Sequence, residues 1–386
     1  MHIVGGLYHE RCCIPAWDAV FGSGGRAAAA VSALSPGSIL YTYVEDFEGE
    51  GVASLRKLGI EMRLSPRPTS ILFAYFHPLS RPHIQPLPDE IEHQPLIEVS
   101  GSAVLRFGFL EGEAIVDAHR AVYDPQTWKN PAPFGANGSV SRELAIVLNE
   151  FELRSASGQD DLDLAASQLM EQQGAVVVVA KGGIRGATVF ERGGKATLVP
   201  AYRSSRMFKI GTGDVFSAIF AHYWAEKRTS VVEAADVASR SVAAYCSVRR
   251  LPLVDDALRY RTPINFLAPG TVLLEGAVDT LGQRYAMEEA RFVLRELGVE
   301  VSCPAIDGIW STSSVAVLVL ADGIGAEAAE NVERAKSIGM PIVILRESGV
   351  RTSDTLTRGA NVTVTDDFTS ALYFAAWAAA EYSNNE

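Results

Sequence analysis

The chain has 386 residues, room for two or three domains at about 100–200 residues each, and 48% apolar and 21% charged residues, the balance of a globular protein that builds its own core. A formal net charge of −12 argues against a broad nucleic-acid or anionic-membrane surface and leaves room only for a local basic pocket. The four cysteines (Cys12, Cys13, Cys246, Cys303) make no C-x-x-C pair, no basic-then-apolar leader opens the chain, and no apolar run reaches the ~20 residues of a membrane span; free thiols in a cytoplasmic protein are expected.

Residues 2–6 read as an opening strand. Ile39–Val44 is a β-rich run, and 49–58 reads as a helix stopped at Gly59. Residues 70–77 are β-branched and aromatic, a further strand, and the proline-rich stretch 78–95 is loop or edge. Strands are expected at 103–109 and 113–117, a helical or mixed segment at 140–148, and an amphipathic helix over 161–173 ending at Gly174. The run 175–180 (Ala-Val-Val-Val-Val-Ala) suits a central parallel strand, with a hairpin over 186–190 and 196–199 after it. Helices are expected over 213–226 and Val231–Val248. The stretch 251–269 has three prolines and no periodicity, and reads as a linker. Strand–helix alternation then restarts: strands at 271–274, 315–320, 341–345 and Val362–Thr365, helices at 282–297, 326–338 and 367–382. The expectation is an α/β protein with a mainly parallel sheet over 1–262 and a smaller α/β domain over 263–386.

The most informative stretch is Lys209-Ile210-Gly211-Thr212-Gly213-Asp214-Val215-Phe216. Two glycines let a ligand approach the backbone, and a turn that opens a helix aims free N–H groups at an anion. Asp214 sits just inside, where a carboxylate can take a proton from a hydroxyl. Phosphoryl transfer needs both parts. The same four residues also suit a plain helix cap. Upstream lie the strand and glycine turn Val176 to Ala187 and the segment Asn149-Glu150-Phe151-Glu152.

Together these resemble the ribokinase, or PfkB carbohydrate kinase, family over about residues 1–262. Its signature G-[AG]-G-D-x-F stands here as Gly211-Thr212-Gly213-Asp214-Val215-Phe216. Its N-x-x-E motif stands as Asn149 and Glu152, its nucleotide-side K/T-x-G-x-x-G as Lys181, Gly183 and Gly186, and its substrate-side glycine pair as Gly24-Gly25. The resemblance implies Asp214 as base, the Gly211, Thr212 and Gly213 amides as anion hole, and ATP with Mg²⁺ ordered through water by Glu152. It also implies a small β lid, drawn from 70–77 and 8–21. Three departures stand out. Phe208-Lys209 replaces the usual Asp-Thr, so Lys209 either meets a phosphate or is a surface lysine. The Asn that commonly follows the glycine pair is absent, Arg26 being followed by Ala27 to Ala30. The acid that grips sugar hydroxyls is Glu10, not Asp.

Residues 270–382 resemble the nucleoside 2-deoxyribosyltransferase family, on Leu274-Glu275-Gly276-Ala277, Ala321-Asp322-Gly323 and Gly339-Met340-Pro341. The resemblance implies a Rossmann-like domain, Asp322 as a sugar-binding acid, and a helix glutamate as nucleophile. Asn331 stands at that nucleophile's place. Glu330 is its neighbour, about 100° away around a helix. Glu327, Glu330 and Glu333 also suit a solvated helix face. The expected function is a kinase for a hydroxyl of a sugar or nucleoside-like molecule, with a C-terminal nucleoside- or nucleotide-binding domain. The alternatives are nucleoside N-glycosidic chemistry with an accessory kinase fold, and a non-catalytic sensor. A homodimer is expected by resemblance.

Overall fold

The computed structural model describes residues 1–127, 131–266, 268–308, 313–350 and 354–382; Leu267, inside the expected linker, lies outside them. Two compact units result, Met1–Ser204 with Lys209–Thr262, and Ser205–Phe208 with Pro263–Glu386.

The larger unit holds strands β1 (His2–Val4), β2 (His9–Cys12), β3 (Trp17–Val20), β4 (Ile39–Val44), β5 (Glu61–Pro66), β6 (Leu72–Tyr75), β7 (His83–Gln85), β8 (Ile97–Phe107), β9 (Ala114–Asp124), β10 (Val140–Asn149), β11 (Val177–Lys181), β12 (Ala187–Glu191) and β13 (Thr197–Val199). Its helices are α1 (Gly22–Val31), α2 (Glu50–Lys57), α3 (Glu150–Ser157), α4 (Leu162–Gln173), α5 (Thr212–Ala221), α6 (Val231–Val248) and α7 (Asp255–Arg259). One nine-stranded sheet runs β13-β12-β11-β10-β9-β8-β1-β4-β5. It is parallel from β11 to β5, and the β11–β12–β13 edge is an antiparallel hairpin. A second sheet, β3-β2-β6-β7, takes β2, β3 and β6 from the segments expected to form a lid and β7 from the proline-rich stretch expected to be loop or edge.

The segment 140–148 is a strand, not the helical or mixed piece its pattern suggested. Leu144, Ile146 and Leu148 are buried in one cluster with Val178, Ala180, Leu153 and Leu169, and β10 pairs on both sides. A continuous apolar run reads alike in a buried helix and a central strand, and tertiary pairing decides it. Helix α1 was not foreseen. Its Gly-Ser-Gly-Gly opening hides the strong helix formers Ala27–Ala30 behind it, all buried against the core.

The β4–β5 region and the lid sheet meet at Arg67. Its guanidinium donates to Glu45 (2.6 Å), Glu111 (2.9 Å) and the Leu7 carbonyl (2.8 Å), while Tyr8 Oη donates to Glu111 (2.6 Å). Arg67→Ala strands the buried Glu111 carboxylate. We expect a loss of about 3–5 kcal/mol in denaturant unfolding of the larger unit.

The smaller unit contains β14 (Thr271–Gly276), α8 (Leu281–Glu296), β15 (Glu300–Ser302), α9 (Pro304–Asp307), β16 (Ser314–Leu320), α10 (Ala326–Ser337), β17 (Ile342–Leu345), α11 (Asp354–Thr357), β18 (Val362–Thr365) and α12 (Phe368–Tyr382). Its five strands are all parallel, in the order β15-β14-β16-β17-β18. This is a doubly wound sheet whose order reverses between β14 and β16, so its natural ligand crevice lies past their carboxyl ends. Among the described residues, no helix is long and apolar enough to cross a membrane.

Candidate active site

Asp214 enters the site because Gly211, at φ +73°, turns the chain sharply into α5. The carboxylate lies in the first turn of that helix, where the amide dipoles favour negative charge. Gly211, Thr212 and Gly213 form the turn itself; the Thr212 amide donates to Lys209 O (3.3 Å), while the other helix-start amides lack intrahelical acceptors in the ordinary way.

Asp214 is not bare. Its Oδ2 accepts from Arg26 Nη1 (3.0 Å) and its Oδ1 from Gln126 Nε2 (3.1 Å). Arg26 also pairs end-on with Glu10: Nη1 donates to Oε1 at 2.9 Å, and Nη2 donates to Oε2. The Arg26 side chain is 1% exposed, Glu10 7% and Asp214 10%, so three charged groups share one dry space. Burial pushes the Asp214 carboxyl above its usual range; Arg26 opposes, while Glu10 and Asp124 add to the rise. Burial works against the Arg26 cation, but Glu10 and Asp214 keep it firmly protonated. Tyr75 of β6 borders the trio, and its phenol is pushed up by burial and by Glu10.

Gly24 and Gly25 are buried in α1, packed under the chain at Gly5–Leu7. A Cβ on Gly24 would overlap the Gly5 backbone, and Gly24 N donates to Gly6 O (3.0 Å). The glycine pair therefore sets α1 against the exit of β1 and delivers Arg26 to the site.

A second cluster flanks the turn. Lys181 Nζ donates to Asp124 Oδ2 (2.7 Å), which also accepts from Ser217 Oγ of α5 (2.7 Å). The ammonium lies against Gly213. Burial pulls Lys181 down, but Asp124 and Glu152 outweigh it and hold the group above its ordinary range. Lys209 is partly buried, not a surface lysine; burial pulls its ammonium down, against Cys246, and Lys181 repels it further. Strand register sets Asn149 beside Lys181. Asn149 and Glu152 form a reciprocal cap on α3, with Asn149 Oδ1 accepting from Glu152 N (2.8 Å) and Glu152 Oε2 from Asn149 N (2.7 Å). Gly186, at φ +99°, makes the tight turn from β11 to β12, where any side chain would overlap Val199 and Pro200. Gly183, at φ +62°, opens onto free space.

Burial pushes Glu152 up to about 7, with Lys181 opposing. Its folded-state pKa exceeds the ordinary 4.5, so it binds a proton in the fold that the unfolded chain releases. The associated stability is full below the unfolded pKa and is lost as pH rises toward about 7. Glu152→Gln keeps the capping acceptor and removes the buried charge. We expect it to melt higher than the wild type at pH 8, by about 2–3 kcal/mol, and to match it at about pH 4. Thermal melts at the two pH values check this.

In the smaller unit, Asp322 stands exposed just past β16, accepting from Gln283 Nε2 (3.3 Å), at the expected crevice. Asn331 is buried and donates through Nδ2 to Glu275 Oε1 (2.9 Å), at the carboxyl end of β14. Burial pushes Glu275 up, against the Asn331 bond. Glu330, with Glu327 and Glu333, faces solvent on α10. The one-residue step in the helix separates it from the Asn331–Glu275 pair.

Arg26, Gln126, Asp124, Ser217, Tyr75 and Glu275 were not among the residues expected to act at a site. Asp124 carried a usable signal, an acid at the end of a long apolar strand. Arg26 carried one too, as a long cation between a glycine pair and four alanines. Among the described residues, no three His, Cys, Asp or Glu side chains cluster as a metal cage.

No protein-family model matches the sequence, and no curated protein sequence matches it. Solved structures do match in fold. A ribokinase from Arabidopsis thaliana, solved with ribose and ATP, is 16% identical with a TM-score of 0.51, over 67% of this chain and 98% of its own. A ribokinase from Thermotoga maritima is 16% identical with a TM-score of 0.48, over 67% and 97%. A pyrophosphate-dependent kinase in the ribokinase family, complexed with a pyrophosphate analogue and myo-inositol, is 17% identical with a TM-score of 0.46, over 67% and 99%.

Proposed function

From a larger unit with the ribokinase fold, we propose that this protein is an ATP-dependent kinase for a hydroxyl of a sugar or nucleoside-like small molecule. The observation that carries the reading is the Asp214 carboxylate in the first turn of α5, beside the Gly211–Gly213 amides and facing Glu10 across the buried guanidinium.

The acceptor hydroxyl replaces Arg26 Nη1 as the donor to Asp214. Asp214 takes the proton, the acceptor oxygen bonds to the γ-phosphorus, and the bond from that phosphorus to the bridging oxygen breaks. ADP leaves with the electron pair. The raised pKa of Asp214 suits proton transfer nearer neutral pH. The helix-start amides stabilise the charge on the transferred group. Lys181 and Lys209 supply cations on the nucleotide side, and Gly183 leaves the chain open to a phosphate.

The residues fit a Mg²⁺ carried in with the nucleotide. Asp124 Oδ1 is buried without a hydrogen-bond partner, and Glu152 lies close enough to feel Asp124. Such an ion keeps most of its waters and needs one or two carboxylates, so Asp124 and Glu152 would hold it directly or through water. It would neutralise phosphate charge.

For the smaller unit, the Glu275–Asn331 pair and Asp322 at the sheet's switch point favour a site for a nucleoside or nucleotide, read here as a sensing or binding domain. A coupled assay of ADP release over sugars, polyols and nucleosides tests the kinase reading. Mg²⁺-dependent ADP release with one acceptor class is expected. Folded protein that releases ADP with none of them ends it.

A further inference from the structure

The chain leaves the larger unit for four residues just before the phosphate-facing turn. Ser205–Phe208 pack with the smaller unit, while Ser204 before them and Lys209 after them belong to the larger one. Bonds at the start of α12 hold this strap. Met207 N donates to Ser370 Oγ (2.8 Å). Ser370 Oγ donates in turn to Asp367 Oδ1 (2.6 Å), which also accepts from Ser370 N (2.6 Å). Arg206 pairs with Asp366 at 3.3 Å. Ser370 is wholly buried, and Met207 and Phe208 are buried with it in the same unit. A buried backbone N–H needs an acceptor, and here a side chain of the smaller unit supplies it.

A short path leads from the strap to the site. Lys209 follows Phe208 directly, and its carbonyl accepts from Thr212 N (3.3 Å) and from Thr212 Oγ1 (3.1 Å). The turn that bears Gly211 and Asp214 therefore hangs from the residue next to the strap. From Met207 to Gly211 is about 14 Å of chain even when fully extended, so little slack separates the two. A shift of Met207 moves the Lys209 carbonyl, and the Thr212 amide moves with it.

We propose that Ser370, at the start of α12, is a positioning residue for phosphoryl transfer. By holding Met207 it fixes Lys209 and the turn that gathers the transferred group. The smaller unit then has a part in the kinase step besides any ligand it binds. This rests on the kinase reading.

Ser370→Ala on the full chain removes the acceptor for Met207 N and leaves every residue of the larger unit unchanged. Two measurements read the result. One is ADP release from ATP with ribose, fructose, myo-inositol or adenosine, on whichever turns over fastest. The other is hydrogen exchange of the Thr212 and Val215 amides, which bond to Lys209 O and Gly211 O. The variant is expected to lose about 10- to 100-fold in kcat, the cost of misplacing a catalytic turn by about 1 Å. Its acceptor KM should stay within about threefold, because Glu10 and Arg26 are untouched. The two amides should exchange at least about tenfold faster. Val332→Ala, in the buried core of the smaller unit on α10, controls for general loosening and should keep kcat within about threefold. The proposal is overturned if Ser370→Ala keeps the wild-type exchange or the wild-type kcat, or if Val332→Ala lowers kcat as far. Should Ser370→Ala not fold, Phe208→Leu loosens the strap through packing alone and is read by the same measurements against the same outcomes. Folded wild type that turns over none of the four acceptors overturns the kinase reading, and the exchange comparison then decides separately whether Ser370 holds the turn.

Discussion

Asp214→Asn is expected to lower kcat about 100- to 10,000-fold while ATP affinity stays within about threefold. An amide cannot take the acceptor proton, and the helix-start amides on the same turn are untouched. The fold should tolerate the change. Glu10 still neutralises Arg26 through its end-on pair, and the Asn oxygen can accept from Nη1 in place of Oδ2. Because burial already pushes the Asp214 carboxyl up, removing its charge should leave the melting temperature unchanged or raise it. Steady-state ADP release and a thermal melt on the same preparation separate the two effects. A variant that keeps its rate within about threefold removes Asp214 from the role of base.

Gly211→Ala is expected to damage stability and turnover together. At φ +73° the backbone is in the left-handed region, which costs an L-residue roughly 1–2 kcal/mol. The new methyl would also collide with the Arg26 guanidinium, and overpacking a tight site costs about 1–3 kcal/mol more. Arg26 has nowhere easy to go, since both its carboxylate partners are buried with it. The sum, about 2–5 kcal/mol, should lower the melting temperature of the larger unit by roughly 5–15 °C. Activity should fall at least about 100-fold, because the turn and the guanidinium shift together. Melting and rate unchanged in this variant would mean that Arg26 does not rest on the turn.

The glycine turn, Asp214, the N-x-x-E pair and Lys181 were legible because each is a local arrangement. A glycine at positive φ, a cap three residues long and a strand end are all written in adjacent residues, as Gly211, Asn149 with Glu152, and Lys181 show. Other readings turned on which neighbours arrive from far away. Lys209 is partly enclosed rather than on the surface, and residues 140–149 pair in the sheet. Glu330 and Asn331 differ by one helical step, and the fold buries the Asn against Glu275 and leaves the Glu in solvent.

By itself the sequence determined an α/β protein with a mainly parallel sheet and a second, smaller α/β domain, and it singled out the helix start that carries Asp214. Apolar periodicity and glycine punctuation act over a few residues and survive without knowledge of partners. Only the tertiary structure decided that Arg26, Glu10 and Asp214 share one desolvated space, although 188 positions separate Arg26 from Asp214. Burial and charge pairing depend on elements brought together from distant parts of the chain, and no spacing along it encodes them.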